Sequence, residues 1–234
     1  MSDTEKVEAL VHLAGTVAHE LNNIFTAVTG NLSLLDTEFE DKSHNASVIS
    51  DVIRTANRGI ELSQKLQAFA GRQKLHRTRF DLNRSVAAVI TDLKRSVLRN
   101  VDIELALQPA SCFVAADEEK LHQVLEELAR NAAAAMDHRG WMVVRTAHAI
   151  LSAGQVGTLP PGSYVMLSLR DSGRGMSPDV MRRAMDPLFS TWSGHQGWGL
   201  AKCAGLVRQC GGEITLTSTK GRGTAAALYL PRAA

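Results

Sequence analysis

Tyr164-Val-Met-Leu-Ser-Leu-Arg-Asp-Ser-Gly-Arg-Gly175 decides how the second half of this chain folds. The apolar run from Tyr164 to Leu169 reads as a strand, and it delivers a carboxylate, Asp171, to its end. The D-x-G-x-G that follows, Asp171 to Gly175, carries two glycines, Gly173 and Gly175, that permit positive φ and close approach of the backbone to a ligand. A carboxylate at a strand end can accept a hydrogen bond from an exocyclic amine such as that of adenine. The pattern alone occurs in many turns, so its meaning depends on its neighbours.

Upstream, Asp117 is a good N-cap for a helix from Glu118 to Met136 whose apolar face is Leu121, Val124, Leu125, Leu128 and Ala132. That helix carries Glu127-Leu-Ala-Arg-Asn131. The Asn131 side-chain carbonyl can ligate Mg²⁺, which keeps waters and takes phosphates as its other ligands. Glu127, one turn earlier on the same face, can orient water around the metal or act as a base.

Downstream, Ser177 starts a short helix with Pro178 at its first position, and Ser190 to Gly199 reads as a loop. Gly197-Trp-Gly-Leu200 leads into a helix from Gly199 to Gln209 that ends at Gly211-Gly212. Backbone N–H groups at such a start, at Gly197 and Gly199, can cradle phosphates. Glu213 to Ser218 and Thr224 to Leu230 read as a hairpin turning through Lys220-Gly-Arg-Gly223, with the Thr224 hydroxyl beside the turn. No G-x-x-x-x-G-K-[ST] occurs, so there is no Walker A loop. Adding a helix at Leu82 to Leu98 and strands at Val101 to Leu107, Cys112 to Ala115 and Trp141 to Ile150 predicts an α+β, two-layer sandwich. It has a mixed sheet with helices on one face.

Residues 6 to 74 follow another rule. No proline occurs before Pro109. Leu10, Ala14, Val17, Leu21, Ile24, Val28 and Leu35 make a seven-residue seam interrupted by Asn31, and after a polar break at Asp36 to Ser43 a second helix places Val48, Val52, Ala56, Ile60, Leu66 and Phe69 at similar spacing. A lone hairpin cannot bury both stripes, so self-association into a dimeric four-helix bundle is expected. His19-Glu-Leu-Asn-Asn23 lies on the first helix. His19 is outside the seam defined by Val17 and Leu21 and should face solvent, where a neutral imidazole can act as a nucleophile near pH 7. Asn23 shares its face, and Glu20 would reach sideways to hold the imidazole tautomer. The basic stretch Arg72 to Arg79 reads as a linker. The expected domains are 1–75 and 76–234.

The net charge of +2 argues against an extended nucleic-acid surface. No 18-residue apolar run and no apolar signal core follow the polar start, so the expected setting is cytoplasmic, without membrane insertion. Cys112, Cys203 and Cys210 have no metal-ligand spacing; Cys203 and Cys210 share a helix face as small core residues.

Taken in order, these motifs resemble the catalytic core of two-component sensor histidine kinases over nearly the whole chain. His19 to Asn23 resembles the H box and Glu127 to Asn131 the N box. Asp171 to Gly175 resembles the G1 box, Asp186-Pro-Leu-Phe189 the F box, Gly197 to Leu200 the G2 box and Gly221 to Thr224 the last glycine box. The resemblance implies a dimerising helical hairpin followed by a Bergerat-type ATP-binding domain. It also implies roles: His19 as acceptor of the ATP γ-phosphoryl group, Glu20 as its assistant, and Asn23 positioning water for dephosphorylation of the regulator. Asn131 would bind Mg²⁺, Asp171 adenine, and Gly173, Gly175, Gly197, Gly199 and Thr224 would line the pocket. The implied partners are a response-regulator receiver domain or a His-containing relay protein and a second copy of the chain. Since Met1 stands only 18 residues before His19, the signal is expected from a separate sensor or activator, or from a region outside this sequence. Glu127 stands where many members have Asn, as in GHKL-type ATPases. The lid stretch Ser-Thr-Trp-Ser-Gly-His-Gln from Ser190 carries no Lys or Arg, for which His195, Arg130 or Lys202 could compensate. Two alternatives stay open: a GHKL-type ATPase, and a dimeric histidine phosphotransferase with a degenerate nucleotide domain.

Overall fold

The computed structural model of the chain describes residues 17, 21–26, 28, 29, 52–56, 59, 63, 75–187, 189–192 and 197–233. The chain divides into two compact units, Met1–Gln73 and Lys74–Ala234.

In the first unit, the described residues 17, 21–26, 28, 29, 52–56, 59 and 63 are helical. The Phe25 ring lies where a Cβ on Gly59 would have to go. The absence of a side chain at Gly59 therefore lets the two helical segments approach around one aromatic ring. The seam residues Val17, Ile24, Val28 and Val52 are exposed at 43%, 57%, 38% and 41%, whereas Ala56 is buried. The predicted turn at Asp36 to Ser43, and His19 and Glu20, lie outside the described residues.

The second unit runs β1 (Thr78–Asp81), α1 (Leu82–Lys94), β2 (Val101–Ala106), β3 (Phe113–Ala116), α2 (Glu118–Ala135), β4 (Gly140–Leu151), β5 (Gly162–Asp171), α3 (Pro178–Arg183), α4 (Gly199–Gln209), β6 (Glu213–Ser218) and β7 (Thr224–Pro231). Five strands form one sheet in the order β2-β4-β5-β7-β6, parallel only between β2 and β4. The side-chain period of two puts Val165, Leu167 and Leu169 of β5 on one face, opposite His148, Thr146 and Val144 of β4 and Leu230, Leu228 and Ala226 of β7. On the helices, Leu121, Val124, Leu125, Leu128, Ala129, Ala132 and Ala133 of α2 and Ala201, Cys203, Ala204, Leu206 and Val207 of α4 are buried. Each Leu or Val so buried contributes about 1.5–3 kcal/mol.

Two local readings change. The basic stretch read as a linker enters a strand at Thr78: β1 pairs antiparallel with β3, from Thr78 opposite Ala116 to Asp81 opposite Phe113. Before it, the His76 N–H donates to Asp117 Oδ2 at 2.8 Å, the Arg77 guanidinium to the Gln209 carbonyl, and the Arg79 guanidinium sits 3.8 Å over the Phe113 ring. The helix expected to reach Leu98 ends at Lys94, because the chain turns there to bury Leu98 completely, with the Leu98 N–H donating to Leu93 O. All three cysteines are buried, free thiols.

Candidate nucleotide-binding site

Asp171 ends β5 and continues the inward-facing alternation of Val165, Leu167 and Leu169, so a carboxylate rather than an apolar group closes the row at the end of the sheet. It is 6% exposed. Its Oδ1 accepts the N–H groups of Gly173 at 2.8 Å and Thr224 at 3.2 Å. Oδ2 has no hydrogen-bond partner among the described residues. Burial pushes the carboxyl pKa above the ordinary range, opposed by the Gly173 and Thr224 donors. One oxygen is thus fixed by the backbone while its mate is available to an amine.

The D-x-G-x-G loop is wedged between α2 and the β6–β7 turn. Gly175 has φ +60, and a Cβ on it would overlap the Thr219 carbonyl oxygen. A Cβ on Gly173 would lie 2.7 Å from the Ala135 carbonyl oxygen. The Arg174 N–H donates to Ala135 O at 2.9 Å and the Gly221 N–H to Arg174 O at 2.7 Å. Thr224 belongs to this end of the site: its hydroxyl meets Ser218 Oγ at 2.9 Å. Ser218, which the sequence reading passed over, also accepts the Met176 N–H at 2.8 Å and donates to Gly223 O at 3.0 Å. The only signal for it was a hydroxyl residue at the strand end facing the glycine turn.

Glu127 and Asn131 are both half-buried on α2, and Asn131 lies one turn before Ala135, which receives the loop. The Glu127 carboxylate meets the start of α4: a Cβ on Gly199 would overlap Glu127 Oε1. Gly197 has φ +70, and Trp198, the N-cap residue, makes no side-chain capping bond. A carboxylate beside the positive end of a helix is favourably placed. Glu127 therefore joins α2 to Gly199, and Ala135 joins α2 to Gly173. The same contact buries Cys203, whose Sγ lies 3.9 Å from Val124 O; desolvation and the Glu127 charge push its thiol pKa up, leaving it unreactive. Asn23, in the other unit, is helical and exposed.

Among the described residues no three His, Cys, Asp or Glu side chains cluster as a metal cage. The oxygen donors of Asn131 and Glu127, one turn apart, suit instead a hard cation that takes most of its ligands from phosphate and water, as Mg²⁺ does.

Fold and site together define an α+β ATPase domain of the Bergerat type. Residues 116–234, just over half of the chain, match the family described as histidine kinase-, DNA gyrase B-, and HSP90-like ATPase, and the chain belongs to that family. Among curated proteins it is similar to the sensor kinase CckA of Brucella abortus, with 33% identity covering 99% of this chain and 25% of that protein. It is also similar to the sensor histidine kinase ZraS of Klebsiella oxytoca, with 30% identity covering 97% of this chain and 47% of that protein. The chain thus spans a quarter to about half the length of these relatives. Among solved structures, full-length ShkA in complex with AMPPNP has a TM-score of 0.67 at 21% identity, covering 95% of this chain and 46% of that one. The Acinetobacter baumannii histidine kinase AdeS has a TM-score of 0.57 at 18% identity, covering 92% of this chain and 98% of that one.

Proposed function

We propose that this chain is the catalytic core of an ATP-dependent protein histidine kinase that phosphorylates itself on His19 and passes the phosphoryl group to a response-regulator aspartate. The observation that carries the reading is Asp171, buried at a strand end with Oδ1 held by two backbone donors and Oδ2 available to the adenine amine. The family membership and the similarity to sensor kinases over nearly the full chain support it.

In this reading Gly173, Gly175 and Thr224 shape the base end of the pocket, and Gly197 and Gly199 offer N–H groups to the phosphates. Asn131 holds Mg²⁺, with Glu127 orienting the water around it; the ion supplies charge neutralisation on the phosphates. A His19 ring nitrogen attacks the γ-phosphorus, the N–P bond forms, and the bond to the ADP oxygen breaks. Positioning and charge stabilisation account for most of such a transfer. Glu20 holds the imidazole tautomer. Asn23, on an exposed helical face, positions water for removal of the phosphoryl group from the regulator. The exposed strip of Val17, Ile24, Val28 and Val52 is covered by a second copy of the hairpin, giving a homodimer. The setting of this core is cytoplasmic. Among the described residues no helix is long and apolar enough to cross a membrane.

The test is incubation with γ-labelled ATP and Mg²⁺, comparing the protein with its His19→Gln variant. Base-stable, acid-labile label on the unaltered protein alone is expected. Equal labelling of the variant would remove His19 as acceptor, and no label with no nucleotide binding would favour a phosphotransfer protein.

A further inference from the structure

The start of α4 is positive twice over. Trp198 gives it no side-chain capping bond, and its first turn holds no Asp or Glu. The Lys202 N–H closes that turn by donating to Trp198 O at 2.9 Å, so the N–H groups before it have no helical partner. Lys202 then adds a full positive charge to the positive end of the helix, where a cation is unfavourable by itself. It is half-buried, and its ammonium has no hydrogen-bond or ion-pair partner among the described residues.

Helical spacing places Lys202 at the nucleotide site. Residues three and four apart share a face, so Lys202 and Cys203 both flank the Gly199 row. On that row a Cβ at residue 199 would overlap Glu127 Oε1, and the Cys203 Sγ lies 3.9 Å from Val124 O. Lys202 therefore stands at the margin of the seam between α4 and α2. Desolvation dominates the Cys203 thiol, but the thiol also feels both charges, Glu127 raising its pKa and Lys202 lowering it. Side chains lean toward the N-terminus of their helix, which carries the Lys202 stem back over the open N–H groups of the first turn. Arg130 is placed otherwise. With His122 and Glu126, one and two turns earlier on α2, it lines a groove with Val89, Asp92 and Ser96 of α1. Glu127 and Asn131 occupy the next row of α2, so Arg130 belongs to a different face from the one that meets Gly199.

The geometry points to Lys202 as a further binding residue of the nucleotide site, its ammonium meeting the phosphate tail beside the start of α4. This inference rests on the nucleotide-site reading above. The sequence from Ser190 to Gly197 holds no Lys or Arg, and Lys202 supplies the missing cation from a helix. An ammonium is a compact point charge that answers to the charge of the tail rather than to the base. Without nucleotide the same charge works against the helix; with nucleotide bound, the phosphates relieve the conflict.

The experiment titrates the full chain and its Lys202→Gln, Lys202→Arg and Arg130→Gln variants with ADP and with AMPPNP, each with Mg²⁺, and melts each protein without nucleotide. Lys202→Gln is expected to bind AMPPNP about tenfold or more weakly, the loss of one bond to a charged group. Its loss for ADP is expected to be smaller, because the shorter tail carries less charge. Lys202→Arg keeps most of the affinity, and Arg130→Gln changes neither ligand. Free Lys202→Gln is expected to melt no lower than the unaltered protein, since a like charge leaves the helix end. Unchanged AMPPNP affinity in Lys202→Gln would overturn the inference. Equal losses for the two ligands, or a lower melting temperature of the free variant, would overturn it too, by showing that Lys202 shapes the site rather than meeting the tail. A larger loss in Arg130→Gln would give the cation's part to Arg130. Failure of the unaltered protein to bind either nucleotide would overturn the nucleotide-site reading itself, an outcome distinct from all of these.

Discussion

Gly223 passes so close to Asp171 that a Cβ at residue 223 would overlap the Asp171 carbonyl oxygen, and the next N–H along the chain, that of Thr224, reaches Asp171 Oδ1 at 3.2 Å. The β6–β7 turn therefore does two things to one residue. It packs on the Asp171 main chain and fixes one oxygen of its side chain, leaving the other without a hydrogen-bond partner among the described residues.

Gly223 and Gly221 make a controlled pair. Both have left-handed φ, +84 and +78, but nothing lies within 4 Å of a Cβ on Gly221. Gly221→Ala is expected to cost only the left-handed penalty of about 1–2 kcal/mol. Gly223→Ala adds a main-chain collision and is expected to cost more than about 3 kcal/mol and to abolish nucleotide-induced stabilisation. Urea unfolding of the two variants checks this; equal losses would show that the turn relaxes without consequence for Asp171.

Asp171→Asn separates folding from binding. The amide oxygen still accepts the Gly173 and Thr224 N–H groups, and the buried charge is gone. Because burial raises the carboxyl pKa in the folded state, the ionised side chain weakens the fold above that pKa. This cost fades as pH falls through the raised folded value and is gone below the unfolded value of about 3.9. The variant is expected to melt no lower than the unaltered protein at pH 7–8, with any advantage shrinking toward acid. Its ADP affinity is expected to drop about 10- to 100-fold, through loss of a hydrogen bond to a charged acceptor. Melting curves with and without ADP across pH decide it: an undiminished ADP shift would end the adenine role of Asp171.

Gly199→Ala probes the Glu127 contact. The overlapping atom is Glu127 Oε1, the tip of a flexible side chain that can rotate aside. Stability is expected to change by less than about 1 kcal/mol. Displacing the carboxylate from the start of α4 is expected to slow phosphoryl transfer about tenfold or more. An unchanged single-turnover rate with γ-labelled ATP would dismiss a positional role for Glu127.

Asp117 ties the residues just before β1 to α2, with Oδ1 accepting the Lys120 N–H at 3.0 Å and Oδ2 the His76 N–H at 2.8 Å. Burial opposes its ionisation, but the His76 and Lys120 donors and the Lys120 charge outweigh it and hold the carboxyl below its usual range. Asp117→Ala is expected to cost about 2 kcal/mol at neutral pH, from a lost N-cap and an orphaned N–H. A lowered folded-state pKa means that this stability is present above the unfolded value of about 3.9 and lost as pH falls through the folded one. The gap between unaltered protein and variant should therefore close in acid; a gap constant down to pH 2 would contradict the assignment.

Much of the second unit was legible as local pattern. The helix after Asp117 was expected at Glu118 to Met136 and spans Glu118–Ala135. The hairpin was expected at Glu213 to Ser218 and Thr224 to Leu230 and occupies Glu213–Ser218 and Thr224–Pro231. β1 was not legible, because the Arg- and Lys-rich run before it resembles a solvated tether. Its partners come from elsewhere in the chain: β3 pairs with it, the Phe113 ring lies under Arg79, and Asp117 and the Gln209 carbonyl take His76 and Arg77 just before it. In the same way the lack of a cation was visible in Ser190 to Gly197, while the placing of Arg130 in the groove between α1 and α2 was not.

The amino-acid sequence by itself determined the α+β class, the order of the elements and the residue types at the site, because periodicity, caps and turn glycines act between near neighbours in the chain. The tertiary structure alone decided that Asp171 has one oxygen bound by Gly173 and Thr224 and the other without a partner among the described residues, that Glu127 meets Gly199 and that Gly173 abuts Ala135. Those contacts depend on strand register and helix packing between segments tens of residues apart, which no local window of sequence contains.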